Sequence, residues 1–269
     1  MEDQNPLVSI IMLTYNRAKY ISAAIESVIN QNFANWELLI VDGGSRDNTE
    51  NIISKYLNDP RIKYHKLENN MGLTGNRNQA LKLARGKYIA VLDSDDVWIS
   101  DEKLGAQVKF LEENKNYVLV GTNFERIDES GRRLEKVTVA ITDQEIRNNI
   151  LLRNEFAHSS VIFLKEKLQN TDFLPESVDP KVISVYDPSL FIWEDYDLWL
   201  RLGLLGKMAN LPEFMTAYRK HTGSISGARK IKGALTNLKI IKRYKKFYPH
   251  YFKAWLKGWF RVLARAIGF

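Results

Sequence analysis

Residues 88–96 read YIAVLDSDD, five residues suited to a buried strand followed by three carboxylates within four positions. A short apolar run without alternation fits a strand covered on both faces, as in a parallel sheet. Two more runs have this character, VSIIML at 8–13 and WELLIV at 36–41. Between them Ile21, Ala24, Ile25 and Val28 recur at helical spacing, and after the glycines of NNMGLTG a helix is expected from about Asn76 to Ala84. Strand, helix, strand, helix predicts an α/β fold: a mostly parallel, Rossmann-like sheet with helices on both faces.

Ligands of such sheets bind outside the carboxyl ends of the strands. That rim collects Thr14, Tyr15 and Asn16 after the first run, Asp42, Gly43, Gly44 and Ser45 after the second, and Asp93, Ser94 and Asp95 after the third. At alternate positions leaving a strand, Asp93 and Asp95 are expected to point the same way. Two like charges on one face need a cation or a shifted pKa. Hard oxygen ligands suit Mg2+ or Mn2+, which also bind substrate phosphates, so a diphosphate bridged by one divalent ion is expected here. Ser94 is small enough not to obstruct it, and Asp96 is assigned to capping the next segment. Tyr15 can stack on a base, and Asp42 can accept the ring N–H of uracil, thymine or guanine. Equally, Tyr15 can pack on the following helix and Asp42 with its two glycines can be turn chemistry. There is no Walker pattern and no G-x-G-x-x-G after a strand, which removes the main support for ATPase and dinucleotide readings.

With 269 residues, 45% hydrophobic and 26% charged, the chain reads as globular, with one large domain or two. The lack of cysteine excludes disulfides, thiolate zinc sites and cysteine nucleophiles. MEDQNPLVS carries acids where a secretory signal would be basic, and no apolar run approaches the roughly 20 residues of a membrane span, so a cytoplasmic body is expected. The net charge of +7 is unevenly placed. From Arg229 onward there are twelve Lys or Arg and no Asp or Glu, leaving residues 1–228 with 27 basic against 32 acidic side chains. Within that tail, Lys253, Lys257, Arg261 and Arg265 recur every four residues, with Phe252, Trp255, Leu256, Trp259, Leu263 and Ile267 on the other side. Such a basic amphipathic helix can dock on its own core, bind nucleic acid or lie in a membrane plane. Tryptophans beside an apolar stripe favour an anionic membrane surface, contacted through residues 229–269, with no nucleic acid. The expected location is the inner face of the cell membrane, with the tail dispensable for chemistry.

In order along the chain, VSIIMLTYNR, LLIVDGGSRDNT, NNMGLTGNRNQAL, GKYIAVLDSDD, WEDYDLWLR and AYRKH resemble the inverting nucleotide-sugar glycosyltransferases of family 2, which have a GT-A type fold. The resemblance covers residues 7–222. It implies that Tyr15 and Asp42, with Thr14 nearby, contact the nucleobase and that Arg77 also reaches it. Asp93, with Ser94, would lie on the ribose side, Asp95 would ligate Mn2+ or Mg2+, and His221 would be a second ligand near the diphosphate. His158 would line the acceptor side, and Asp195 would be the general base. Two positions depart from the pattern: Gly43 stands where many relatives have a second acid, and Asn76 where a small residue usually precedes the arginine. The stretch 169–191 is long and lacks periodicity.

Asp195 also has a case of its own. An inverting transfer needs a carboxylate to take the acceptor's proton, and Leu198, Leu202 and Leu205 mark a helix whose N-terminus lies at Asp195. Capping by Asp195 or Glu194 is the plainer alternative, and Glu194 and Asp197 are the next candidate bases. The expected organisation is a nucleotide-sugar-binding half at 1–115, an acceptor and base half at 116–222, and a helical tail at 223–269. The expected activity is inverting transfer from a nucleoside-diphosphate sugar, with UDP-sugar as the expected donor, to a glycan or polyprenyl-linked glycan in bacterial surface polysaccharide assembly. The alternatives are a sugar-1-phosphate nucleotidyltransferase, disfavoured by the missing Gly-rich, Arg- and Lys-bearing N-terminal loop, and a non-catalytic membrane-associated carbohydrate-binding protein.

Overall fold

The computed structural model describes residues 5–169, 185–190, 192–221 and 230–266. The first half follows the apolar runs closely. Strand β1 (Val8–Thr14) lies between β2 (Trp36–Asp42) and β4 (Tyr88–Val91), both parallel to it, and β3 (Ile62–Lys66) extends the parallel part beyond β2. Every residue of β2 and β4 is buried, as expected of strands covered on both faces. The register pairs Thr14 with Asp42, which brings the ends of β1 and β2 to one level.

Helix α1 (Ile21–Ile29) buries Ile21, Ala24, Ile25 and Val28, and α2 (Thr49–Ser54) follows β2. Helix α3 (Gly72–Leu83) begins four residues earlier than the apolar spacing predicts. Its first turn is held by polar side chains: Gly72 N–H donates to Asn70 Oδ1 at 2.9 Å and Met71 N–H to Asn76 Oδ1 at 3.1 Å. Gly72 has φ +75°, a conformation that side chains with a Cβ rarely adopt.

Beyond β4 the sheet turns mixed. Its order is β3-β2-β1-β4-β8-β6-β9-β5, with β7 pairing β6, where β5 is Val97–Trp98, β6 Tyr117–Ile127, β7 Arg133–Val137, β8 Ile162–Leu164 and β9 Lys207–Arg219. The expected boundary at residue 115 falls between α4 (Lys103–Glu113) and β6, but one continuous sheet carries both halves. Helix α5 (Asp143–Asn149) has a capping box between Thr142 and Glu145. Helix α6 (Glu194–Leu205) packs on β6.

The C-terminal region is two helices, α7 (Lys230–Arg243) and α8 (Tyr251–Ala266), joined by a turn in which His250 has φ +62°. They differ in role. Helix α7 and the turn place Ile240, Ile241, Tyr244 and Tyr248 in the main core, with the Tyr248 hydroxyl donating to Leu200 O at 2.7 Å. Helix α8 crosses α7 at Gly258, where a Cβ would stand 2.4 Å from Leu238 Cδ2, so any larger residue would have to displace the Leu238 side chain. Ile267 lies outside the described residues. No helix among the described residues is long and apolar enough to cross a membrane.

Candidate active site

The carboxyl ends of β1, β2 and β4 form one rim, closed by backbone and side-chain links. Gly43 N–H donates to Thr14 O at 3.0 Å, Asn16 N–H to Ser45 Oγ at 2.9 Å and Arg46 N–H to Asn16 Oδ1 at 2.8 Å. Tyr15 projects from this rim with 46% of its surface exposed, so its ring is open to a stacking partner rather than packed on α1. The Thr14 hydroxyl is buried and has no partner among the described residues.

Asp42 is fully buried and already carries four donors. Its Oδ1 accepts from Gly44 N–H at 3.0 Å, Ser45 N–H at 2.8 Å and Ser45 Oγ at 2.8 Å, and its Oδ2 accepts from the Tyr64 hydroxyl at 2.8 Å. This is the turn chemistry that Asp with two glycines predicts. A base approaching Asp42 would have to take Oδ2 from Tyr64.

The three carboxylates of the opening motif do not share one cation. Asp93 faces inward, with Oδ1 accepting from Arg77 Nη2 at 3.2 Å and Oδ2 lying 3.0 Å from His158 Nδ1. Burial alone would raise its pKa, but His158 and Arg77 hold the carboxyl well below the usual range. Asp95 faces a different pair: its Oδ2 accepts from Arg17 Nε at 3.2 Å and lies 2.9 Å from His221 Nε2. Asp96 is buried and caps nothing. Its carboxylate accepts from the Arg219 N–H at 2.8 Å and the Ser159 hydroxyl at 2.5 Å, tying the end of β9 to the motif. Burial, then the charges of Asp95 and Asp93, push its pKa well up. The expectation that Asp93 and Asp95 point together is therefore corrected. Arginine, histidine and buried hydrogen-bond donors answer the electrostatic demand of the motif.

Arg77, on α3, joins the two halves of the site. Its guanidinium pairs with Glu194 at the start of α6 and with Asp93 after β4, and it lies over the Tyr186 ring at 5.3 Å. His158 Nδ1 lies 3.0 Å from Asp93 Oδ2 and 3.2 Å from Arg77 Nη2, and its Nε2 lies 3.3 Å from the Tyr186 hydroxyl. Tyr186 belongs to the long 169–191 stretch, of which Gln169 and residues 185–190 are described. It is fixed by reciprocal bonds with Asn78, Tyr186 N–H to Oδ1 at 2.9 Å and Nδ2 to Tyr186 O at 2.8 Å.

The first turn of α6 carries three acids, which suit the positive end of the helix dipole. Glu194 is buried on Arg77. Asp197 is buried and accepts from Arg243 Nη1 at 2.6 Å, Arg201 Nε at 3.1 Å and the Tyr244 hydroxyl at 3.0 Å. Asp195 is partly exposed and makes no hydrogen bond or ion pair with the described residues. The entry to this turn is fixed by Trp193, which has φ +67° and whose indole N–H donates to Gly233 O at 2.9 Å.

A divalent ion would find two protein donors at the rim, the Asp95 carboxylate and the His221 imidazole. No group of three or more His, Cys, Asp or Glu placed to hold one metal ion is found among the described residues. Two donors, with the remaining positions left to phosphate and water, fit Mn2+ or Mg2+ held together with a diphosphate.

The two departures from the family pattern meet in space. A Cβ on Gly43 would stand 3.0 Å from Asn76 Nδ2 and 3.1 Å from Asn70 Nδ2. The larger Asn76 occupies the room that a side chain at 43 would need. Arg17 and Arg219 went unassigned in the sequence, although the unbalanced carboxylates call for cations and both lie in the quoted motifs. Arg219 Nε donates to Asp95 O at 2.8 Å, holding the backbone of the motif.

A parallel sheet with this rim, continued by a mixed half that brings in a helix bearing a partly exposed carboxylate, is the GT-A type architecture of nucleotide-sugar transferases. The chain belongs to glycosyl transferase family 2, whose family model matches residues 9–169. It is similar to the Escherichia coli UDP-Glc:alpha-D-GlcNAc-diphosphoundecaprenol beta-1,3-glucosyltransferase WfaP, 34% identical over 240 residues that cover 88% of this chain and 86% of the relative. Among solved structures, Staphylococcus aureus TarS 1-349 in complex with UDP-GlcNAc superposes with a TM-score of 0.68 at 22% identity, covering 96% of this chain and 72% of that one. The Pyrobaculum calidifontis mannosyltransferase PcManGT in complex with GDP-Man and Mn2+ superposes with a TM-score of 0.64 at 16% identity, covering 99% and 77%. These two likenesses concern the fold. Family membership sets sugar transfer from a nucleotide-sugar donor in place of nucleotidyl transfer or carbohydrate binding without catalysis.

Proposed function

We propose that this chain transfers one sugar, with inversion, from a UDP-sugar to a hydroxyl of a lipid-linked glycan during surface polysaccharide synthesis. The observation that carries the chemistry is the contrast within the first turn of α6: Glu194 and Asp197 are buried and paired, and Asp195 alone is open. In this reading the acceptor oxygen attacks the anomeric carbon, its proton passes to the Asp195 carboxylate, and the bond to the diphosphate breaks so that UDP leaves. Arg77, through Glu194 and Asp93, holds the base-bearing helix against the donor side. Tyr15 stacks on the base. Asp95 and His221 would hold the divalent ion, which when bound neutralises charge on the departing diphosphate. UDP as the nucleotide and a diphosphoundecaprenol-linked acceptor are supported by the name of the E. coli relative.

Asp195→Asn should keep donor affinity and lower turnover by about 10² or more, because the amide cannot accept the proton. Thermal shift with UDP-sugars measures the first and product release the second. Near-normal turnover would move the base elsewhere. Asp95→Asn should behave differently, losing Mn2+-dependent stabilisation by UDP together with transfer. Unchanged Mn2+ dependence in that variant would remove Asp95 from the metal site.

A further inference from the structure

Helix α8 leaves most of its apolar side chains uncovered. Ala254, Gly258 and Val262 pack towards α7, with Trp255 partly buried beside them. Phe260 remains 73% exposed, Phe252 67% and Leu263 61%, with Leu256 and Trp259 also exposed on the same side. Ile231 and Leu235 on α7 are exposed as well. At 100° per residue, Lys253, Lys257, Arg261 and Arg265 form a stripe between this apolar face and the buried one. The like charges are close enough to act on one another: burial first, and then Arg261, Arg153 and Lys253, lower the pKa of Lys257.

We propose that the exposed face of α8 docks on an anionic lipid bilayer, with Phe252, Leu256, Trp259, Phe260 and Leu263 entering the headgroup boundary and the basic stripe meeting lipid phosphates. The composition of the face decides between occupants. A second copy would oppose cations to cations, since residues 229–269 contain no acid. Nucleic acid would satisfy the cations but leave the phenylalanines and leucines in water. An anionic bilayer satisfies both halves at once. Because α7 holds α8 and also clamps α6 through Arg243 and Asp197, docking would set the catalytic helix at a fixed height above the lipid surface.

The test uses the full chain and vesicles of phosphatidylcholine with and without phosphatidylglycerol, without donor or acceptor, so its outcome is separate from that of Asp195→Asn. Binding should require phosphatidylglycerol at low salt, at roughly fivefold per basic residue engaged, and keep a remnant at high salt. Lys253→Glu with Lys257→Glu should weaken low-salt binding by at least about tenfold. Leu256→Glu with Phe260→Glu should remove the salt-resistant remnant. Both pairs are surface changes and should leave the melting temperature and the stabilisation by UDP unchanged. The two pairs are read separately, so either one decides. Vesicle binding that is absent, or unaffected by either pair, overturns the proposal. So would a concentration-dependent dimer dissolved by Leu256→Glu with Phe260→Glu, or tighter binding to DNA than to the vesicles.

Discussion

Lys103 shows how far a single side chain can stand from the chemistry and still report on the fold. It is fully buried, and among the described residues its ammonium meets Gln107 Oε1 at 2.7 Å and the Trp98 ring at 4.2 Å. Burial drives its pKa well below the ordinary lysine value. The unfolded chain therefore binds a proton that the folded chain does not over the range between the depressed and the ordinary value. Across that range the site makes stability rise with pH, by about 1.4 kcal/mol per pH unit. Lys103→Met removes the term. Its stability relative to the parent should become more favourable as pH falls from about 10 towards neutrality, measured by urea melts at several pH values. A difference that does not change with pH would mean that the lysine keeps its proton when buried. Lys103 opens α4, and nothing in the sequence signals its burial. By contrast, the helix that begins beside Asp195 was legible from the spacing of Leu198, Leu202 and Leu205.

At the scale of elements, the strands covered on both faces were legible because apolar runs need only their own composition to be recognised. The start of α3 was not, since Asn70 and Asn76 build it with side-chain hydrogen bonds and no apolar spacing. Nor was the three-residue β8, which exists only through pairing with β4 and β6. The Arg77 link was hidden for a related reason: Glu194 lies 117 positions along the chain. The contact between the β2 turn and α3 leads to a test of two coupled positions. Gly43→Asp alone should be destabilising by about 1–3 kcal/mol, since the new Cβ crowds two amides held in place by their own bonds. Asn76→Ala alone should also cost stability, by releasing Met71 N–H. Together they should recover part of the loss, with a coupling of about 0.5–3 kcal/mol in a double-mutant cycle. Strict additivity in denaturant melts would show that the two departures are independent.

For the whole molecule the decisive correction concerns the tail, which the charge count treats as one unit from Arg229 and the structure divides in two. Helix α7 and the following turn bury Ile240, Ile241, Tyr244 and Tyr248 in the main core, and Arg243 bridges Asp197 and Asp187. Losing four such side chains at about 1.5–3 kcal/mol each removes roughly 6–12 kcal/mol, comparable to the 5–15 kcal/mol by which domains are stable at all. It would also leave Asp197 buried with Arg201 as its remaining cation, a further cost. A chain ending at residue 228 should therefore fail to fold cooperatively. A chain ending at His250 should fold, because α8 covers mainly the small cluster of Ala234 and Leu238 and contributes Ala254 to the main core. The longer chain should keep its response to UDP and lose vesicle binding. Circular dichroism melts of the two truncations give the answer directly. If the chain ending at 228 melts like the full-length protein, α7 is an appendage and its clamp on α6 has no energetic weight.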